Sequence, residues 1–406
     1  MMPAALEEVV FARGLEERDR AAPPPDFPVL PPVPAGRYTD PAFAALERHE
    51  VFERSWLFVA HEDEVADPGD FLQLDQLNAP VFLIRGQDGL VRAFFNSCQH
   101  RGAPVLTDRS GNAGRRLTCG YHAWTYGLDG SLLGIPADHD FPGLDRSCAG
   151  LRQVRSEQWG SLVFVTFDDD APPLVDALGV VGRELGPQIG DGPDVGRVRL
   201  AERRSVDVDG NWKLTVDANV ETYHVNTLHR STAAMVIDQA ATGIFLLPAG
   251  HSRMFVHDRG GPRSSGLPSF PAASALADRG IYSYHLFPNT SVVFGGSALL
   301  FLISSWPVSP DRSHYDVRFL APGEPGEHDG QLASFIDANW AVLMEDLQTV
   351  AGTQASLRLG GLDALRLGYQ ERRIYHQHEE LDRRIGVELV ADHLRVAPLL
   401  ADWIEP

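Results

Sequence analysis

Two of the three cysteines in this 406-residue chain are each followed closely by a histidine. One pair is Cys98-Gln99-His100, and the other, 18 residues further on, is Cys119-Gly120-Tyr121-His122. Thiolates and imidazoles bind metals, so a chain with four of them on two short segments is constrained to bring those segments together. Zinc sites with two Cys and two His usually group the cysteines first and then the histidines, with the histidines on a helix. Here each segment carries one of each type. That suits a centre with two chemically different irons, one held by two Cys and the other by two His. Structural zinc is the competing reading. Gly102 and Gly120 would let backbone amides approach bridging sulfides. Cys148 lies outside both pairs and reads as an unligated thiol.

The surroundings fit two metal-bearing loops. From residue 66 to 165, short apolar runs such as Phe71–Leu74, Val81–Ile84 and Leu162–Phe167 alternate with Gly, Asp, Asn and Pro. This predicts a small antiparallel β module with tight turns. Ahead of it, residues 3–20 read as a short helix, and residues 21–35 hold seven prolines, an extended arm. Residues 170–200 read as a soft Pro/Gly-rich connection. Beyond it come a helix from about Trp212, strands over 281–286, 291–294, 299–306 and 314–320, and one long helix over 331–357. In that helix Ile336, Trp340, Leu343, Leu347 and Val350 form a continuous apolar stripe. The expected organisation is an arm over 1–37, a [2Fe–2S] domain with a leading helix over 38–168 and a second domain over 169–406.

A second constellation lies in that last part. Asn211-Trp212-Lys213 opens a segment containing Asp217, Glu221, His224 and His229, with Asn211 as the N-cap. Glu221 and His224 are three apart and share a helix face. His224 and His229 are five apart, so a regular helix would point them in different directions. They can share a metal only if the helix ends, tightens or bulges between them. A two-His iron site also needs an anionic ligand, and the long helix offers Glu345-Asp346. Asp346 sits beside the apolar stripe, where a metal would compensate a buried carboxylate. Glu345 reads as the more solvated neighbour.

Cys98-Gln99-His100-Arg101-Gly102 with Cys119-Gly120-Tyr121-His122-Ala123-Trp124 resembles the Rieske motif of ring-hydroxylating oxygenase α subunits. The family usually has Pro where Gly120 stands and Gly where Ala123 stands. The stretch from Asn211 to His229 resembles the catalytic iron motif of the same family, with Ala218 where many members have Asn. The resemblance spans roughly residues 38–370. It implies an α+β chain: a small all-β Rieske domain joined to a helix-grip domain, an antiparallel sheet wrapped round a long helix. It implies Cys98, His100, Cys119 and His122 as ligands of a [2Fe–2S] cluster. Mononuclear Fe(II) would be held by His224, His229 and Asp346, with Gln354 eight residues further on. Glu221 takes the position of the acidic residue that bridges the two metal centres between neighbouring subunits of a homotrimer. The implied activity is hydroxylation or oxidative demethylation of a small organic substrate, aromatic or amine, by O2. The electrons would come ultimately from NAD(P)H through a reductase or ferredoxin.

Composition narrows the alternatives. Asp plus Glu is 55 and Lys plus Arg is 35, giving −20, which argues against nucleic-acid or anionic-membrane binding. Three cysteines cannot form a disulfide framework in so long a chain. No apolar run approaches the ~18 residues of a membrane span, and no secretory signal is visible, so the cytoplasm is the expected location. Between Cys98 and Thr125 four arginines (Arg101, Arg109, Arg115, Arg116) stand against Asp108, a net of +3. That local patch would suit an acidic electron donor. The non-enzymatic alternative is a Rieske electron carrier or redox sensor, but it leaves the second motif unexplained. The substrate pocket is expected between the strands of Tyr282–Trp306 and the segment Thr242–Phe255. These are rich in Phe, Leu and Val and imply a partly apolar substrate.

Overall fold

The computed structural model describes residues 2–189, 196–260, 266–271 and 273–405. It divides into two units. Arg54–Leu174 is one, and Met1–Glu53 together with Val175–Pro406 is the other.

The first unit is all β. Its strands are β1 (Leu57–His61), β2 (Asp70–Gln73), β3 (Val81–Arg85), β4 (Val91–Phe95), β5 (Ser110–Asn112), β6 (Arg116–Thr118), β7 (Thr125–Gly127), β8 (Leu132–Gly134), β9 (Gln153–Trp159) and β10 (Leu162–Thr166). Seven of them form one antiparallel sheet in the order β1-β10-β9-β4-β3-β2-β5, and β6-β7-β8 form another. Alternation along β3 and β4 sends Phe82, Ile84 and Phe94 into one buried cluster with Leu117, Trp124 and Tyr126. Cys98 and Cys119 belong to the same cluster, so this apolar core sits directly behind both metal-binding loops.

In the second unit the sheet has seven antiparallel strands: β11 (Val198–Val208), β12 (Ile237–Leu246), β13 (Ser252–Asp258), β14 (Gly280–Leu286), β15 (Thr290–Phe294), β16 (Leu300–Ser309) and β17 (Arg312–Pro322). Their order is β11-β17-β16-β15-β14-β13-β12. The helices used below are α1 (Ala4–Arg18), α2 (Trp212–Asn219), α3 (Val225–Leu228), α4 (Asp329–Leu347), α5 (Val350–Arg358) and α6 (Arg372–Ile385). Leu332, Ile336 and Leu343 of α4 share one core with Ile244, Met254, Phe301 and Ile303 of the sheet. This is the helix-grip arrangement that the resemblance implies.

Three expectations are corrected. The predicted helix over 331–357 is two helices, one ending at Leu347 and the next starting at Val350, and at the junction the Thr349 hydroxyl donates to the Asp346 carbonyl at 3.3 Å. The segment before Arg54 belongs with the second unit rather than with the [2Fe–2S] module or a free arm. Buried ion pairs from Arg37 to Asp382 and from Glu47 to Lys213, each 2.6 Å, tie it there. Finally, residues 174–185 of the expected soft connection are helical and break at Gly179, while residues 190–195 lie outside the described residues.

Candidate metal centres

The two cysteine loops are built alike. Cys98 follows β4, and Cys119 lies in the hairpin between β6 and β7. Four residues after each cysteine the chain turns through a left-handed residue, Gly102 at φ 77° and Ala123 at φ 57°. Each of these donates its backbone N–H to the carbonyl of its cysteine, at 2.8 and 3.0 Å. Gly102 therefore pairs with Ala123. Gly120, which the spacing suggested as its counterpart, has no left-handed φ.

This repeated turn points the four donors at one place. The Nδ1 atoms of His100 and His122 stand 3.1 Å apart, and Cys98 and Cys119 are close enough for each thiol to feel the other. Two imidazole nitrogens at that separation are spanned by one metal with bonds of about 2.1 Å. The thiols are buried and the imidazoles half-buried. Burial pushes the Cys98 thiol up, whereas burial and the neighbouring His100 push the His122 imidazole down, toward the neutral form that ligates. Trp124 stacks on His100 at 5.0 Å. Tyr126, which sequence reasoning passed over, places its hydroxyl 3.2 Å from Cys98 Sγ and accepts the Gln99 N–H at 3.0 Å. Its signal was there, since on a strand the residue two after Trp124 shares its inward face. Arg101, Arg109, Arg115 and Arg116 are all exposed, and Arg109 pairs with Asp75 at 3.2 Å.

The second site gathers residues from three elements. Asn211 caps α2 by accepting the Lys213 N–H at 3.0 Å. Gln354 of α5 accepts the Asn211 N–H at 2.8 Å and so fixes the start of α2 against the C-terminal helices. Helix α2 ends at Asn219, before Glu221, so a turn rather than a shared helix face brings Glu221 to His224. His224 and His229 are the two flanking residues of the four-residue helix α3. That interruption removes the angular conflict of their five-residue spacing, and their Nε2 atoms come within 3.2 Å. Asp346 Oδ1 lies 3.2 Å from His224 Nε2 and 2.8 Å from His229 Nε2. Three ligand atoms at right angles round a centre about 2.1 Å away would stand about 3.0 Å apart. The triad fits one metal ion with one face of its coordination sphere open.

Both rear nitrogens are occupied. His224 Nδ1 meets Glu221, and His229 Nδ1 meets Glu345 Oε2 at 2.7 Å. Burial opposes the His224 imidazolium, but the Asp346 and Glu221 carboxylates outweigh it and push its pKa up to about 10. An acidic setting that holds a proton this firmly also suits a cation in its place. Glu345 is the more solvated of the pair, as expected, with its side chain 24% exposed against 7% for Asp346, and its hydrogen bond from His229 holds its carboxyl below the usual range. Asp346 is buried. The triad adjoins a cavity of about 690 Å³, lined by strands β13–β16, by α4 and by residues 218–237. This uses the expected strands over 282–306 but only Met254 of the expected segment 242–255, and it adds a wall from the helix.

Two family models match the chain. A Rieske [2Fe–2S] domain covers residues 55–149, and the catalytic domain of the ring-hydroxylating α subunit covers residues 195–387. The carnitine monooxygenase oxygenase subunit of Acinetobacter baumannii is 30% identical over 308 residues, covering 73% of this chain and 79% of that protein. This chain belongs to the ring-hydroxylating oxygenase α-subunit family. Rieske oxygenases are oxidoreductases, and their cofactors are a [2Fe–2S] cluster and a mononuclear iron. The large oxygenase component of a 2,4-dinitrotoluene dioxygenase from a Burkholderia species is 33% identical over 264 residues, 64% of this chain and 56% of that one. Among solved structures, a quaternary ammonium Rieske monooxygenase superposes with a TM-score of 0.74 at 25% identity, covering 91% of this chain and 99% of that one. Among the described residues no helix is long and apolar enough to cross a membrane.

Proposed function

We propose that this Rieske oxygenase hydroxylates or oxidatively demethylates a small organic substrate, with His224, His229 and Asp346 as its iron ligands. Cys98, Cys119, His100 and His122 are the ligands of the cluster. The observation that carries the reading is the Nε2, Nε2, Oδ1 triad, with separations of 2.8–3.2 Å, beside a largely apolar cavity. When bound, the iron supplies O2 activation and the cluster supplies electrons one at a time.

The protein's own side chains do the rest. Glu221 and Glu345 fix the ring orientation of the two histidines and keep their Nε2 lone pairs directed at the metal position. The apolar walls exclude water and hold the substrate. Electrons arrive from NAD(P)H through a reductase or ferredoxin, and the exposed arginines near the cysteine loops are the docking surface. Glu221 is also the junction between subunits of a homotrimer. Its second oxygen accepts the Tyr223 N–H and has room for a further donor from a neighbour's His122. The similarity to carnitine monooxygenase favours monooxygenation.

The test is metal and labile-sulfide analysis of the purified protein and of two variants. Wild type should carry both centres. His122→Ala should lose the cluster's EPR signal, and His224→Ala should lose mononuclear iron while staying red-brown. A colourless zinc protein, or a full cluster signal in His122→Ala, overturns the reading.

A further inference from the structure

Among the described residues, the cavity beside the triad is lined by groups that offer a charged ligand little. Among the described residues lining it there is no Lys, Arg, Trp or Tyr. The carboxylates among these described residues, Glu221 and Asp346, already face His224 and His229. Among the described lining residues a substrate carboxylate finds no cation, and a quaternary ammonium finds only the rings of Phe301 and Phe335, without the Trp or Tyr of a full cage. Across the sheet floor the row Met254, Ser283, Val293, Phe301 is apolar but for one hydroxyl.

Most polar atoms on the walls are already spoken for. Thr222 bonds Thr242 at 2.9 Å, and Thr232 bonds Glu345 at 2.7 Å. Asn219 bonds the Thr215 carbonyl at 2.5 Å and the Tyr315 hydroxyl at 3.2 Å. Among the described residues Ser283 Oγ has no hydrogen-bond partner, and the residue is buried in the floor. Asn339, half-buried on α4, differs. Its amide nitrogen donates to the Phe335 carbonyl at 2.8 Å, and since a carbonyl only accepts, this fixes which end is oxygen. That oxygen lies against Gly295, 3.5 Å from where a β-carbon would stand, in a corner shared with Phe301. Gly295, Phe301 and Asn339 all line the cavity. The wall therefore presents a hydrogen-bond acceptor in an apolar setting. Seven residues separate Asn339 from Asp346, two turns on the same helix face, or about 10 Å along the axis.

We propose that the cavity takes a neutral, largely apolar molecule carrying one hydrogen-bond donor, a hydroxyl or N–H. Asn339 accepts that donor and places the molecule's apolar end at the triad. Asn339 is thus a positioning residue for specificity, and the substrate class differs from the zwitterion named for the carnitine-oxidising relatives. This inference rests on the oxygenase reading of the triad.

Binding to the purified holoprotein tests it with four probes: 2-naphthol, 2-methoxynaphthalene and naphthalene by fluorescence, and L-carnitine by calorimetry. Wild type should bind 2-naphthol about tenfold more tightly than the methyl ether, which cannot donate. L-Carnitine should not bind. Asn339→Leu and Asn339→Ala should bind all three bicyclic probes alike, and the alanine variant favours its helix, so it keeps the test open if the leucine variant misfolds. Equal wild-type affinity for the naphthol and its ether, survival of the preference in Asn339→Ala, or tight carnitine binding would each overturn the proposal. Iron and labile sulfide measured on the same preparations judge the oxygenase reading separately: protein with both centres but no naphthol preference refutes the substrate class alone.

Discussion

Glu345 Oε2 stands 2.7 Å from Nδ1 of His229, the ring nitrogen turned away from the other two members of the triad. Its sequence neighbour Asp346 meets the same ring at Nε2, 2.8 Å away. Adjacent carboxylates thus hold opposite edges of one imidazole, and only one of them faces the metal position. Asp346→Ala should lose mononuclear iron altogether. Glu345→Gln keeps the size of the side chain but weakens the hold on the ring, and should lower iron affinity by about 10–100-fold. Iron titration of both variants decides the matter. Normal affinity in Asp346→Ala with iron loss in Glu345→Gln would reverse the two roles.

The left-handed turn at Ala123 makes a prediction of the opposite sign. A β-carbon there is strained by about 1 kcal/mol, and Gly102, its counterpart in the other loop, carries none. Ala123→Gly should therefore raise the stability of the cluster-bearing unit by about that amount. Slower loss of the cluster's visible absorbance on heating would show it. Faster bleaching would mean that the alanine methyl packs usefully enough to outweigh its strain.

Much of this site was legible before any coordinates. The Cys/His pairs, His224, His229 and Asp346 are chemically distinctive, and short-range spacing says what they can reach. Glu345 was not legible, because the stripe pattern on α4 places it only near an edge and says nothing of His229, 116 residues away in sequence. The strands over 281–320 were visible as apolar runs, whereas β11, with Glu202, Arg203, Arg204 and Asp207, is a polar edge strand that periodicity hides. The break between α4 and α5 falls at Gln348-Thr349, inside the apolar stripe, whose continuous spacing masks it.

Buried histidines set a limit on acid stability. His251 has Nε2 near the Ala177 carbonyl at 3.1 Å and accepts the Phe287 N–H at Nδ1, so the fold requires it neutral. Burial pulls its pKa down to about 4, and His285 and His376 shift the same way for the same reason. A histidine near 6.5 when unfolded binds its proton first in the unfolded state. The stability that the neutral form contributes is full above pH 6.5 and is lost between there and about pH 4, roughly 3 kcal/mol for His251 alone. Denaturant unfolding between pH 7.5 and 5 should show this slope. His251→Gln should be less stable at pH 7.5 but fall less steeply. An unchanged slope in that variant would assign the acid sensitivity to other groups.

The buried pair of Glu47 and Lys213 carries the last prediction. Lys213, the chain's only lysine, lies in the first turn of α2, fully buried, with its ammonium 2.6 Å from Glu47. Glu47 also accepts the Trp212 indole N–H at 3.3 Å. Burial pulls the Lys213 pKa down, and Glu47 works against that by favouring the charged form. Desolvating two charges offsets most of their attraction, so the pair as a whole adds little, but half of it alone is costly. Glu47→Gln should thus destabilise the second unit by about 3 kcal/mol. Replacing both partners, Glu47→Leu with Lys213→Met, should recover most of that loss because no charge is then left unpaired. Urea unfolding of the two variants distinguishes this from simple loss of packing. If the double variant is no more stable than Glu47→Gln, the charge pair is not what holds the N-terminal segment to α2.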